Sequence, residues 1–161
     1  MNLHILGVDP GDEVIVPSYT YTASASTAIY CGATVIFVDS QKNSDSKTHF
    51  SEMDYDAMEA AITERTKAII PVDLGGIMCD YERIFQAVEN KNNIFKPSNI
   101  IQEALGRAAI VSDCAYALEA SRHGKMAGEV ADFTSFSFYA VNVFETEVKK
   151  FDCKESTKIA A

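Results

Sequence analysis

Two short apolar segments, Glu13-Val14-Ile15-Val16-Pro17 and Thr34-Val35-Ile36-Phe37-Val38, flank a stretch of small residues from Thr22 to Cys31. No other feature constrains the fold of this chain as strongly. The first segment reads as a buried strand introduced by the turn Asp9-Pro10-Gly11-Asp12. The small-residue stretch is compatible with a helix, and Gly32 is placed to end it as a C-terminal cap. Strand, helix and strand within about 25 residues make a βαβ unit whose two strands run parallel.

The alternation continues. Residues 40–52 are polar and read as a surface loop, after which Asp54 is placed to cap a helix through Ile62 with Met58, Ala61 and Ile62 on its apolar edge. Lys67 to Val72 is the third expected strand, leading into a turn at Gly75-Gly76. Asp80 to Glu89 reads as a helix with Ile84, Phe85 and Val88 facing inward, and residues 90–99 as a further loop. Ala109 to Ser112 is the fourth strand, and Phe133 to Tyr139 the fifth, with period-2 character. The pattern predicts an α/β fold with a mostly parallel sheet flanked by helices.

A chain of 161 residues with 47% hydrophobic and 23% charged residues can bury a real core and is not a disordered composition. Its formal net charge of −9 argues against nucleic-acid binding, which rests on excess Lys and Arg. No apolar run approaches the ~20 residues of a membrane helix, and the N-terminal segment has no signal-peptide pattern. Cys31, Cys79, Cys114 and Cys153 are widely spaced and read as reduced thiols of a cytoplasmic protein rather than as a zinc site or disulfide framework.

In open α/β sheets, ligands sit beyond the carboxyl ends of the strands. Here those ends carry Tyr19 and Tyr21, Asp73, Asp113 with Tyr116, and Ser135 with Ser137. An aromatic face, a carboxylate and hydroxyls at separate strand ends suit a planar, phosphorylated cofactor. Each residue also has a plainer reading. Asp113 can cap the following turn, Tyr21 can be a core aromatic, and Ser137 can be an outward strand position. No Gly-rich phosphate loop follows any strand, no Ser-His-Asp triad assembles, and His4, His49 and His123 show no metal spacing.

Four ordered runs, GVDPGDEVIVPSYTYTASASTAIYCGATVIFVD, TERTKAIIPVDLGG, VSDCAYALEA and ADFTSFSFYAVN, span about Leu6 to Asn142. Together they resemble the DegT/DnrJ/EryC1/StrS family, aminotransferases that use pyridoxal 5′-phosphate (PLP) to move an amino group from an amino acid onto a keto sugar nucleotide. The resemblance implies part of the large domain of the fold-type I, aspartate aminotransferase-like PLP-dependent transferases over residues 1–142, with a divergent tail at 143–161 and the family's C-terminal domain absent. It implies that Tyr21 stacks on the cofactor ring, that Asp113 pairs with the pyridinium nitrogen, and that Ser137 binds the phosphate. Tyr116 stands where the family has Gln or His beneath the ring.

The largest departure concerns catalysis. Family members follow the SFSF-type strand with a lysine and an asparagine, and that lysine bonds covalently to the cofactor and shuttles the proton. Here the sequence is Tyr139-Ala140-Val141-Asn142. Either Asn142 replaces the lysine, or the lysine is deleted and Asn142 is its usual neighbour. Lys149 and Lys150 follow at a distance of some 20 Å as extended chain. The family's upstream Ser-Gly-Thr phosphate-binding helix start is also missing, and the divergence from Val143 fits a truncated or frameshifted gene product. The expectation is a cytoplasmic aminotransferase fragment, inactive alone. The alternative is a non-catalytic subunit that pairs with an intact homologue. A homo-oligomer or such a homologue is the expected partner, and the uncovered sheet edge predicts self-association.

Overall fold

The computed structural model describes residues 1–41 and 51–139. The expected loop at 40–52 falls largely outside them, as do Asn142, Lys149, Lys150 and the tail from Val143. Strands β1 (Glu13–Pro17), β2 (Thr34–Val38), β3 (Thr66–Ile69), β4 (Ala109–Asp113) and β7 (Phe133–Ser135) form one sheet in the order β2-β1-β3-β4-β7, and every pairing is parallel. Helices α1 (Asn2–Ile5), α2 (Thr22–Tyr30), α3 (Tyr55–Ala61), α4 (Tyr81–Asn90) and α5 (Ile100–Leu105) accompany it. A two-stranded hairpin, β5 (Ser121–Arg122) and β6 (Lys125–Met126), precedes β7.

Strand alternation divides the core between the two faces of the sheet. Ile15, Ile69 and Ile110 pack with Met58, Ile84 and Val88 of α3 and α4. Their neighbours Val14, Val16, Ala68, Ala109 and Val111 pack with Leu3 of α1 and with Ala25 and Ala28 of α2. Because both faces are covered, the central strands read as continuous apolar runs rather than as alternating ones.

Local chemistry fixes the element ends. Asp54 Oδ1 accepts from the backbone N–H groups of Asp56 (3.1 Å) and Ala57 (2.9 Å) at the start of α3, and Asp80 accepts from Arg83 N–H (3.0 Å) at the start of α4. Gly32 follows α2 at φ +76°, where a Cβ would lie 2.7 Å from Pro10 Cγ, so only glycine fits the turn into β2.

Four details differ from the sequence expectation. The third strand ends at Ile69, because Pro71 has no N–H for the ladder, although Val72 still bridges to Asp113. The fifth strand ends at Ser135 rather than Tyr139, since its neighbour β4 ends at Asp113, the partner of Ser135. Helix α5 lies between the expected 90–99 loop and β4. It has no apolar face to announce it, since Gln102 is its buried residue while Ile100 and Ile101 are exposed. The hairpin turns through His123 (φ 51°) and Gly124 (φ 78°), the two positive φ values of a type I′ turn.

Candidate functional site

The strand order reverses direction around β1, and a cavity of about 830 Å³ opens beyond the carboxyl ends of the strands. Tyr21, Asp113, Tyr116 and Ser137, drawn from three separate regions of the chain, all line it. Tyr21 is the N-cap of α2, with extended backbone (φ −72°, ψ 145°), and the residue is 72% exposed. Asp113 is the last residue of β4, and Tyr116 lies half-buried in the turn that follows it. Ser137 sits two residues past β7, where its hydroxyl accepts from Tyr139 N–H at 3.2 Å.

Asp113 is the most firmly placed of the four. Its N–H donates to Pro71 O (2.9 Å), and its carbonyl accepts from Asp73 N–H (3.0 Å), so the backbone is held by the chain continuing from β3. Its carboxylate accepts from Ser24 Oγ (2.7 Å) at Oδ2 and from Ala115 N–H (3.2 Å) at Oδ1. A carboxylate offers about four acceptor positions, so capacity remains for a donor in the cavity. Ser24 in turn lies 2.9 Å from Thr20 Oγ1. The sequence reading did not single out Ser24 or Thr20. The available signal was that Ser24 lies one position before Ala25 on the buried side of α2, where a polar residue needs a partner.

Two strand-end residues do not join the site. Tyr19 is exposed but does not line the cavity. Asp73 points into the core, fully buried, and accepts from Cys79 N–H (2.9 Å), Tyr81 Oη (3.1 Å to each oxygen) and the Cys114 thiol (3.2 Å). Burial pushes its carboxyl up to about 6 against the opposing pull of these donors.

The residues present fit a flat, anionic heteroaromatic ligand. The cavity has the size of a small-molecule site, and it combines an open aromatic face, one anchored carboxylate and the hydroxyl groups of Ser135 and Ser137. No lysine lines it among the described residues.

A parallel sheet with this strand order and a cavity at its switch point make an α/β domain of the kind that binds a small ligand at its strand ends. The sequence profile of the DegT/DnrJ/EryC1/StrS aminotransferase family matches residues 1–147, and the chain belongs to that family. It is 38% identical to GDP-perosamine synthase of Caulobacter vibrioides over 141 residues, which is 88% of this chain and 32% of that protein. It is 34% identical to the spore coat polysaccharide biosynthesis protein SpsC of Bacillus subtilis, over 87% of this chain and 31% of the relative. A Streptococcus pneumoniae protein described as a sugar aminotransferase, solved in its PLP form, superposes with a TM-score of 0.81 at 54% identity. That match covers 87% of this chain and 34% of the solved one. The chain thus spans about a third of the length of these relatives.

Proposed function

We propose that this chain is the cofactor-holding part of an aminotransferase that acts on a keto sugar nucleotide with an amino-acid donor, and that it does not transaminate alone. The observation that carries the reading is Asp113, anchored by Ser24 and facing a cavity that Tyr21 also lines. In this reading Tyr21 covers one face of the PLP ring, Asp113 holds the ring nitrogen, Tyr116 packs beside the ring and Ser137 binds the phosphate. PLP bound there supplies an electron sink for the charge left when a proton is removed beside an amino group.

Without a lysine at the end of the 133–139 segment, the described residues of the site offer no amine to hold the cofactor covalently or to move that proton. Asn142 has neither a nucleophilic amine nor a useful basicity. Cys31, Cys79 and Cys114 are buried and, among the described residues, form no disulfide. Among the described residues no helix is long and apolar enough to cross a membrane.

Incubating the chain with PLP, glutamate and a keto sugar nucleotide tests the proposal. No amino sugar is expected to form, and sustained turnover would overturn it. A second reading, a non-catalytic subunit that completes or modulates an intact homologue, is favoured by Tyr21 and Tyr139, which line the cavity and are 72% and 69% exposed. Co-purification with an intact aminotransferase supports that reading, and a strictly lone chain excludes it.

A further inference from the structure

Helix α2 carries four aliphatic hydroxyl residues, Thr22, Ser24, Ser26 and Thr27. Ser26 Oγ bonds to Thr22 O (2.9 Å), and Thr27 Oγ1 to Ser24 O (3.0 Å), the local back-bonding usual for such residues in a helix. Ser24 behaves differently. It is 4% exposed and reaches Asp113, 89 residues away, across the cavity floor.

We propose that Ser24, supported by Thr20, is a positioning residue that orients the Asp113 carboxylate and thereby keeps the ring nitrogen of a bound pyridine cofactor protonated. This inference rests on the cofactor reading above. The direction of the chain follows from donor counting. A carboxylate only accepts, so Ser24 donates its single O–H to Asp113, and the 2.9 Å contact with Thr20 is then made by the Thr20 hydroxyl donating to Ser24 Oγ. Hydrogen bonds aligned in this way polarise one another.

The Ser24 and Ala115 donors hold the carboxylate in one orientation at the wall of the cavity that Ser24 and Asp113 both line. Loss of the Ser24 hydroxyl frees the carboxyl to turn, so its negative charge is no longer held against a ring nitrogen, and a more distant charge stabilises the protonated ring less.

Pyridoxamine 5′-phosphate is the appropriate probe, because it binds without needing a lysine. Fluorescence titration gives its affinity for the full 161-residue chain, and absorbance against pH reports ring protonation. Ser24→Ala is expected to bind about tenfold more weakly and to lower the pH of ring deprotonation by about one unit. Ser24→Thr, which keeps the donor, is expected to retain both properties. Ser26→Ala, whose hydroxyl serves only its own helix, is expected to change neither. Thr20→Val should shift both in the same direction by about threefold in affinity, and it carries the test should Ser24→Ala fail to fold. If the unmodified chain binds the probe and the Ser24 and Thr20 variants match it in affinity and pH profile, the inference is overturned while the cofactor reading stands. If the unmodified chain does not bind the probe, the cofactor reading falls and this inference with it.

Discussion

Asp113 and Asp73 end neighbouring strand paths, yet their surroundings give them opposite roles. Asp113 faces the cavity with its carboxylate held by Ser24 and Ala115. Asp113→Asn keeps the shape but removes the anion, and fluorescence titration should show pyridoxamine phosphate binding at least about tenfold weaker. Asp73 is sealed among Cys79, Tyr81 and Cys114 with its carboxyl pushed up to about 6 from an ordinary 3.8. Over that interval the folded state holds the proton more tightly than the unfolded chain. Stability contributed by Asp73 is therefore full below the unfolded value and is lost as pH rises through about 6. Chemical denaturation at pH 4 and pH 6.5 should show this loss, about 2 kcal/mol, and Asp73→Asn should remove most of it. The strand-end rule made both aspartates visible in the sequence. It could not separate them, because which one faces the cavity depends on contacts made by Cys79, Tyr81 and Ser24 elsewhere in the chain.

At the scale of elements, β7 is tied to the sheet at its start by Asp132. The Arg107 guanidinium grips this carboxylate with both nitrogens (2.7 and 2.9 Å) and lies 4.8 Å over the Phe85 ring, while Ile110 N–H also donates to Asp132 (2.8 Å). Asp132→Ala leaves a largely buried guanidinium and a ladder N–H without their acceptor. A loss of about 2–3 kcal/mol is expected in urea denaturation, together with weaker pyridoxamine phosphate binding because β7 leads to Ser135 and Ser137. The strands were legible as short apolar runs bounded by turns, and the longer helices because Asp54, Asp80 and Gly32 mark their ends. Helix α5 was not, because its exposed Ile100 and Ile101 break the link between apolarity and burial. The hairpin strands are two residues each, too short for any period, and only the His123-Gly124 turn could have signalled them. Ser137 lines the cavity, but it lies past the end of a strand that the alternating pattern carries to Tyr139.

For the molecule as a whole, two faces of one sheet are covered, yet the surface near β2 and α2 stays apolar. Phe37, Ile29 and Tyr30 are 60–82% exposed there, and β2 is an edge strand among the described residues. Such an edge and its neighbouring apolar side chains favour association. Sedimentation velocity is expected to find species heavier than the 17.6 kDa monomer. A compact monomer at all concentrations would contradict that expectation. The family assignment was readable from four ordered motifs rather than from any single residue. In the proposed function the chemistry turns on one position near Asn142, where the sequence Tyr139-Ala140-Val141-Asn142 offers no lysine.

The proposed cofactor cradle without its lysine can be tested by titrating the purified chain with PLP, reducing with borohydride and measuring intact mass. Saturable, reversible binding that Asp113→Asn weakens is expected, with no mass increase after reduction. A reduced adduct mapped to Lys149 or Lys150 would contradict it, because the chain would then supply the amine that its strand end lacks.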